Sequence, residues 1–274
     1  MKKKLLGLLI AMGISIPTYA SIVVSPTKIE INANKIKNNY TTAAIEIKGD
    51  SNKPIRFRAY PGYFTISNTS EMIMQDSKGD PHDLSKKIRF VPSEFTVPAG
   101  KSQKIRVNIA GIKTLPDGES RAVLYLEDVN AKEVNLDNMP SGIGAQLVLK
   151  TRVGVPVYVD KGKFTKQADI ETFNIVKEKD GLYTEIKVLS TGTSRVRYSG
   201  IVQISKGKKL ISEYALNGKV VGGQNSYLAK QKIQTDKINE AGDYNLRVIL
   251  SYFDENNNRK NIKKDAILKI TGEI

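Results

Sequence analysis

The 274-residue chain has no cysteine, no tryptophan and a single histidine, His82. Without cysteine there is no disulfide framework, no thiolate nucleophile and no zinc–thiolate site, so packing alone must hold the fold. With one histidine, any Ser-His-Asp relay would depend on His82, which lies in the polar loop Gly79-Asp80-Pro81-His82-Asp83 and is expected to be solvated. No G-x-S-x-G elbow, H-E-x-x-H pair, EF-hand loop or phosphate-cradling glycine motif occurs either. The expectation is a protein that is not an enzyme, takes no metal or other cofactor, and works by binding.

Long apolar runs are also scarce. The stretch Leu5 to Ile16 is too short to cross a bilayer, and no later stretch reaches the roughly 18 residues required. It follows Lys2, Lys3 and Lys4 and precedes Thr18-Tyr19-Ala20, the pattern of a signal peptide over residues 1–20 cleaved before Ser21. The mature chain is therefore expected in the periplasm, with no membrane insertion.

Removal of that segment leaves 40 basic against 28 acidic residues, a formal +12. Such an excess fits nucleic acid, an anionic membrane or an acidic protein partner. The lysines are scattered, however, as in Lys35 and Lys37, Lys86 and Lys87, Lys208 and Lys209, and Lys263 and Lys264. Over the full chain lysine outnumbers arginine 33 to 10, and no segment interleaves basic and aromatic side chains as a single-strand reader would. Nucleic acid is set aside; a solvated surface and attraction to acidic partners both stay open.

What the chain does have is period-two alternation between turn signals, with no amphipathic helix of useful length. Strands are expected near 22–31, 42–48, 54–60, 88–91, 103–109, 120–129 and 143–159. Pro26 should interrupt the first strand or move it between sheets. A long loop is expected over 61–87, with at most a short strand at Met72–Met74, and a second loop over 130–142 that is mobile in the free protein. The polar stretch Asp160 to Asp169 marks a boundary between domains at 21–160 and 161–274. Beyond it, strands are expected at 182–189, 196–205, 208–216, 227–234, 243–253 and 259–270, with Asp254 to Asn258 as the turn of the last hairpin. Ala241-Gly242-Asp243-Tyr244 has the form of a tyrosine corner, its phenol bonding back to the backbone.

The most informative segment is Ile143 to Val159, IGAQLVLKTRVGVPVYV. As one long strand it places Ile143, Ala145, Leu147 and Leu149 on a single face. That face either fills a core or is offered to a partner. Three preceding segments bear on the choice: SPTKIEI (Ser25 to Ile31), IRFVPSEFTVPAGKSQKIRV (Ile88 to Val107) and LPDGESRAVLYLEDV (Leu115 to Val129). Together with QLVLKTRVG (Gln146 to Gly154), and in this order, they resemble the N-terminal domain of the PapD-like periplasmic pilus and fimbrial chaperones, over most of residues 21–159. The match to that family's C-terminal domain is faint.

The resemblance implies an all-β protein of two immunoglobulin-like β-sandwich domains in a boomerang arrangement. It also implies a chaperone that binds pilus or fimbrial subunits by donor-strand complementation and delivers them to an outer-membrane usher. Each subunit of such a system lacks a strand and exposes an apolar groove. The resemblance places the donated residues at Ile143, Ala145, Leu147 and Leu149. It further implies two basic residues that grip the subunit's C-terminal carboxylate. One falls on Lys28; the other falls on Gly154, a departure for which Arg152, two residues earlier on the same strand face, is the candidate replacement. The alternative reading of both cations is surface charges with local partners. The alternative function is a structural or adhesive surface protein of two immunoglobulin-like domains.

Overall fold

The computed structural model describes residues 22–50, 52–130, 132–135, 146–234, 238 and 240–271; the signal segment 1–20 lies outside them. The first half of the chain forms β1 (Val23–Ser25), β2 (Ile29–Asn32), β3 (Tyr40–Lys48), β4 (Ile55–Gly62), β5 (Phe64–Ile66), β6 (Met72–Met74), β7 (Ile88–Val91), β8 (Glu94–Val97), β9 (Ser102–Ala110), β10 (Gly118–Asp128), β11 (Lys132–Asn135), β12 (Gln146–Leu149) and β13 (Arg152–Lys161). The second half forms β14 (Ala168–Glu178), β15 (Gly181–Ser190), β16 (Val196–Lys206), β17 (Lys209–Val221), β18 (Ser226–Lys232), β19 (Gly242–Phe253) and β20 (Arg259–Ile270). The chain is thus all-β, built as two immunoglobulin-like sandwiches.

Alternation decides which face each strand buries. In β9, Ile105, Val107 and Ile109 are buried, while Arg106 and Asn108 between them are less so. The first sandwich stacks the sheet β1-β3-β9-β7 on the sheet β2-β13-β10-β4-β8. Ile45, Ile47, Phe57, Leu124, Leu126 and Val157 meet between them. The expected break at Pro26 is a change of sheet, since β1 pairs with β3 whereas β2 runs parallel to β13 in the opposite layer.

Strand β10 departs from simple alternation because Ala122 to Leu126 are all buried. The cause lies in the segment expected to be a loop. There, β5 and β6 pair as a hairpin whose Phe64 packs with Val123, Tyr125 and Tyr158 on the outer face of the sheet. That hairpin also reaches the second sandwich. Ser70 Oγ donates to the Ser226 carbonyl at 2.9 Å and accepts from the Gly222 amide at 3.3 Å.

The second sandwich stacks β14-β15-β18 on β17-β16-β19-β20. Phe173, Ile186, Val188, Val202, Leu246 and Val248 form its core. Tyr244 is buried there and its phenol donates to the Glu240 carbonyl at 2.9 Å, the bond expected of a tyrosine corner. Asp254 Oδ1 accepts from the Asn256 and Asn258 amides at 3.0 and 2.7 Å and closes the last hairpin.

Four sequence expectations need correction. The strand over 143–159 is interrupted at Lys150 and Thr151, which separate β12 from β13. The loop over 130–142 contains β11, which pairs antiparallel with β12 in the register Lys132↔Leu149 to Asn135↔Gln146. Strands β8 and β14 were not expected. His82 is not fully solvated: it is half-buried, and its Nδ1 finds no hydrogen-bond partner among the described residues.

Candidate functional site

Strand β13 organises the candidate site, because it is held on both edges and follows β12 after only Lys150 and Thr151. It pairs with β10 antiparallel from Gly118↔Lys161 to Glu127↔Arg152, and with β2 parallel from Val157↔Ile29 to Asp160↔Asn32. Its inner side chains, Val155, Val157 and Val159, belong to the first core. β12, by contrast, is bonded only to β11 among the described strands. One edge of the segment carrying Leu147 and Leu149 is therefore paired and the other carries no described strand. Ile143 and Ala145 lie outside the described residues.

The departure at Gly154 has a steric basis. Gly154 stands opposite Tyr125 in the register, and a Cβ there would lie 3.1 Å from Val123 Cγ2 and 3.8 Å from the Tyr125 ring. The same ring lies over Gly62 on the other side, closer than a Cβ would tolerate. Tyr125 thus spreads across two glycines of neighbouring strands. Arg152 stacks on it, with its guanidinium carbon 4.1 Å from the ring centroid, and donates from Nη1 to Tyr60 Oη at 3.3 Å. Tyr60 in turn donates to Glu127 Oε2 at 2.7 Å.

Lys28 lies elsewhere. It precedes Ile29, whose partner Val157 is five residues beyond Arg152, roughly 16 Å along a strand. Lys28 instead lines a cleft of about 480 Å³ between the two sandwiches, together with Tyr158, Arg197, Lys219 and Tyr227. Its Nζ lies 3.4 Å from Glu30 Oε2. Burial lowers the Lys28 pKa, and repulsion from Arg197 and Arg195 lowers it further, which outweighs the attraction of Glu30. The structure does not bring Lys28 and Arg152 into contact.

Behind the cleft the two sandwiches are joined by a buried arginine that sequence reasoning missed. Arg195 is 2% exposed. Its Nη1 donates to Glu119 Oε2 at 2.9 Å and to Asp160 Oδ1 at 3.2 Å, and its Nε lies 3.4 Å from Glu30 Oε1. Its guanidinium also lies 3.9 Å from the Tyr158 ring centroid. Burial works to lower its pKa, yet Glu119, Asp160 and Glu30 together raise it, so it stays charged. Ser194 Oγ and Lys166 Nζ complete the coordination of Asp160, at 2.7 and 2.8 Å.

Arg195 and Arg197 sit in the polar segment Thr191 to Tyr198, where they look like ordinary surface cations. Scarcity of arginine does not single them out, because Arg56 and Arg58 have the same spacing and are exposed.

Among the described residues, no group of three or more histidine, aspartate and glutamate side chains could hold a metal ion. Among them also, no helix is long and apolar enough to cross a membrane.

No family model and no curated protein matches the sequence. Among solved structures, the chain is similar to the class 5 fimbriae chaperone CfaA, at 14% identity and a TM-score of 0.43, covering 92% of this chain and all of that one. It is also similar to the Pseudomonas aeruginosa CupB2 chaperone, at 12% identity and a TM-score of 0.41, covering 91% of this chain and 100% of that one. A third likeness is to the chaperone–tip adhesion subunit pre-assembly complex CsuC–CsuE of Acinetobacter baumannii, at 12% identity and a TM-score of 0.43, covering 89% of this chain and 98% of that one. Likenesses this remote carry no argument for function, which rests on this chain's own residues.

Proposed function

We propose that this protein is a periplasmic chaperone of the PapD-like family, which stabilises pilus or fimbrial subunits by donor-strand complementation and passes them to an outer-membrane usher. The observation that carries the reading is the placement of QLVLKTRVG. Its second half enters a strand locked between β10 and β2, while its first half is β12, paired along one edge only among the described residues. A locked strand supplies the rigid base and the open edge supplies backbone groups for a subunit that lacks a strand. Ile143, Ala145, Leu147 and Leu149 fill the subunit's groove in this reading. Burial of each leucine contributes roughly 1.5 to 3 kcal/mol, enough to hold a subunit without catalysis or ATP.

Lys28, in the cleft, belongs to the same proposal as a contact for the subunit's C-terminal carboxylate; Arg152, held on Tyr125 roughly 16 Å away along β13, does not share that group with it. Export through a signal peptide cleaved before Ser21 places the protein in the periplasm.

The test is co-expression of the tagged chain with whatever small secreted proteins prove to be encoded beside its gene, followed by recovery from the periplasm. The wild-type chain should bring down one such subunit in equal amount. Leu147→Arg and Leu149→Arg should bring down none while remaining folded by circular dichroism, because each places a charge in an apolar groove. Capture that persists in both variants would overturn the mechanism. Recovery of the chain in surface fibres instead would favour a structural or adhesive protein.

A further inference from the structure

Besides the buried Arg195, the two sandwiches are attached through the covalent linker that follows β13. The linker is itself pinned to the first sandwich, since the Asn34 side chain accepts from the Gly162 amide at 2.8 Å and donates to the Gly162 carbonyl at 2.9 Å. It runs along a separate groove, lined by Asn34, Phe164 and Thr193 rather than by the cleft residues. Two points of attachment still let the domains turn about the line that joins them. We propose that the β5–β6 hairpin is a strap that supplies a third point and so fixes the width of the cleft.

The strap has a firm root and a lighter latch. At the root, Phe64 is fully buried against Val123, Tyr125 and Tyr158, and its ring meets Tyr158 edge-on with 5.7 Å between centroids. Tyr63 beside it is buried and its phenol donates to Asp80, which also accepts from the His82 amide at 2.8 Å. The chain on either side of the hairpin is thereby clipped to the first sandwich. At the tip, every contact is with the turn between β17 and β18. Ser70 Oγ bonds the Ser226 carbonyl and the Gly222 amide, the Ser226 amide donates to the Asn68 carbonyl at 3.3 Å, and a Cβ at Gly222 would come within 2.8 Å of Ile66 Cγ2. β6 itself, with Met72, Ile73 and Met74 all exposed, adds little to either sandwich. The hairpin therefore owes its place to its two ends, and the polar tip is the end that opens more easily. Ile66, Ser70, Glu71 and Met72 form part of the cleft wall, so movement of the latch is movement of that wall.

The inference does not depend on what the chain binds. Because the chain has no cysteine, Lys104→Cys on the first sandwich and Lys263→Cys on the second, both exposed, can carry a pair of spin labels whose distance distribution is measured by double electron–electron resonance. In the otherwise unaltered chain that distribution should be narrow. Replacing Ser67 to Glu71 with Asn-Gly, a two-residue turn that closes on the Ile66↔Met72 pair, keeps the root and removes the latch. It should broaden the distribution about twofold, as expected once the domains move relative to one another. Ser70→Gly deletes the hydroxyl and accepts the φ of 62° at that position; it should broaden the distribution in the same direction but less. Urea midpoints should stay near that of the parent, because Phe64 and both cores are untouched. An unchanged width in both variants would overturn the proposal. So would broadening that comes with early unfolding of the first sandwich, which would make the hairpin a brace of that domain alone. Should the shortened hairpin fail to fold, the width in Ser70→Gly decides, and no broadening there would overturn the proposal.

Discussion

Arg195 of the second sandwich donates to Glu119 of the first across 2.9 Å, with both side chains almost wholly buried. A buried pair of this kind need not be more stabilising than apolar packing, but removing one partner strands the other. Arg195→Leu leaves Glu119 and Asp160 facing each other without their shared cation. The expected cost is about 3 to 5 kcal/mol, read as a lower urea midpoint. A single unfolding transition in the wild type should also separate into two, one for each sandwich. An unchanged midpoint would mean that the joint contributes nothing.

Glu30 makes the joint sensitive to acid. Burial works to raise its pKa, but Arg195, Lys28 and Arg197 outweigh burial and hold it below the usual glutamate value. The unfolded chain therefore takes up the proton first as pH falls. The stabilisation is complete above about pH 4.3, the unfolded value, and is lost as pH drops through the lower folded value. Urea midpoints measured between about pH 5 and pH 3 should fall more steeply for the wild type than for Glu30→Gln. Parallel curves would remove Glu30 from the account.

Two tyrosines of the second core give opposite expectations. Tyr244→Phe deletes the bond to the Glu240 carbonyl and should cost about 0.5 to 1.5 kcal/mol. The buried Tyr198 hydroxyl has no partner among the described residues, so Tyr198→Phe should be neutral or stabilising. Urea denaturation of the two variants side by side decides it, and equal losses would contradict the assignment.

Gly62→Ala should destabilise the first sandwich by about 1 to 3 kcal/mol, as overpacking does, since the Tyr125 ring fills the space a methyl would need. The displaced ring should release Arg152, whose Nε–H resonance is the marker. No loss of stability would show that Tyr125 has room to move.

How legible all this was in the sequence depended on whether the decisive contact was local. β9, β15 and β19 were readable from alternation, and Tyr244 and the Asp254 turn from residues a few positions apart. β14 was hidden because its register slips between Ile170 and Thr172, which puts Phe173 out of step with Ala168 and Ile170 and breaks the period. β8 is too short to show a period, and β11, Lys-Glu-Val-Asn, is a strand only because β12 lies beside it. Gln146 to Gly154 and Lys28 were singled out by resemblance alone. Arg195 and Arg197 were not, because their burial and partners arise where one domain packs on the other, from residues that are on the order of a hundred positions away. The joint is a tertiary fact with almost no local trace.

The parallel pairing of β2 with β13 constrains how the first domain can be made. Ile29 and Val157 are partners separated by 128 residues, so their ladder carries a large loop-closure entropy and a high contact order. A polypeptide emerges from synthesis with its N-terminal end first. β2 must therefore wait, edge uncovered, until nearly the whole domain has followed it, and the strand that completes the first sandwich, β13, is the one that follows β12. The domain cannot close before the segment it would lend to a partner has arrived.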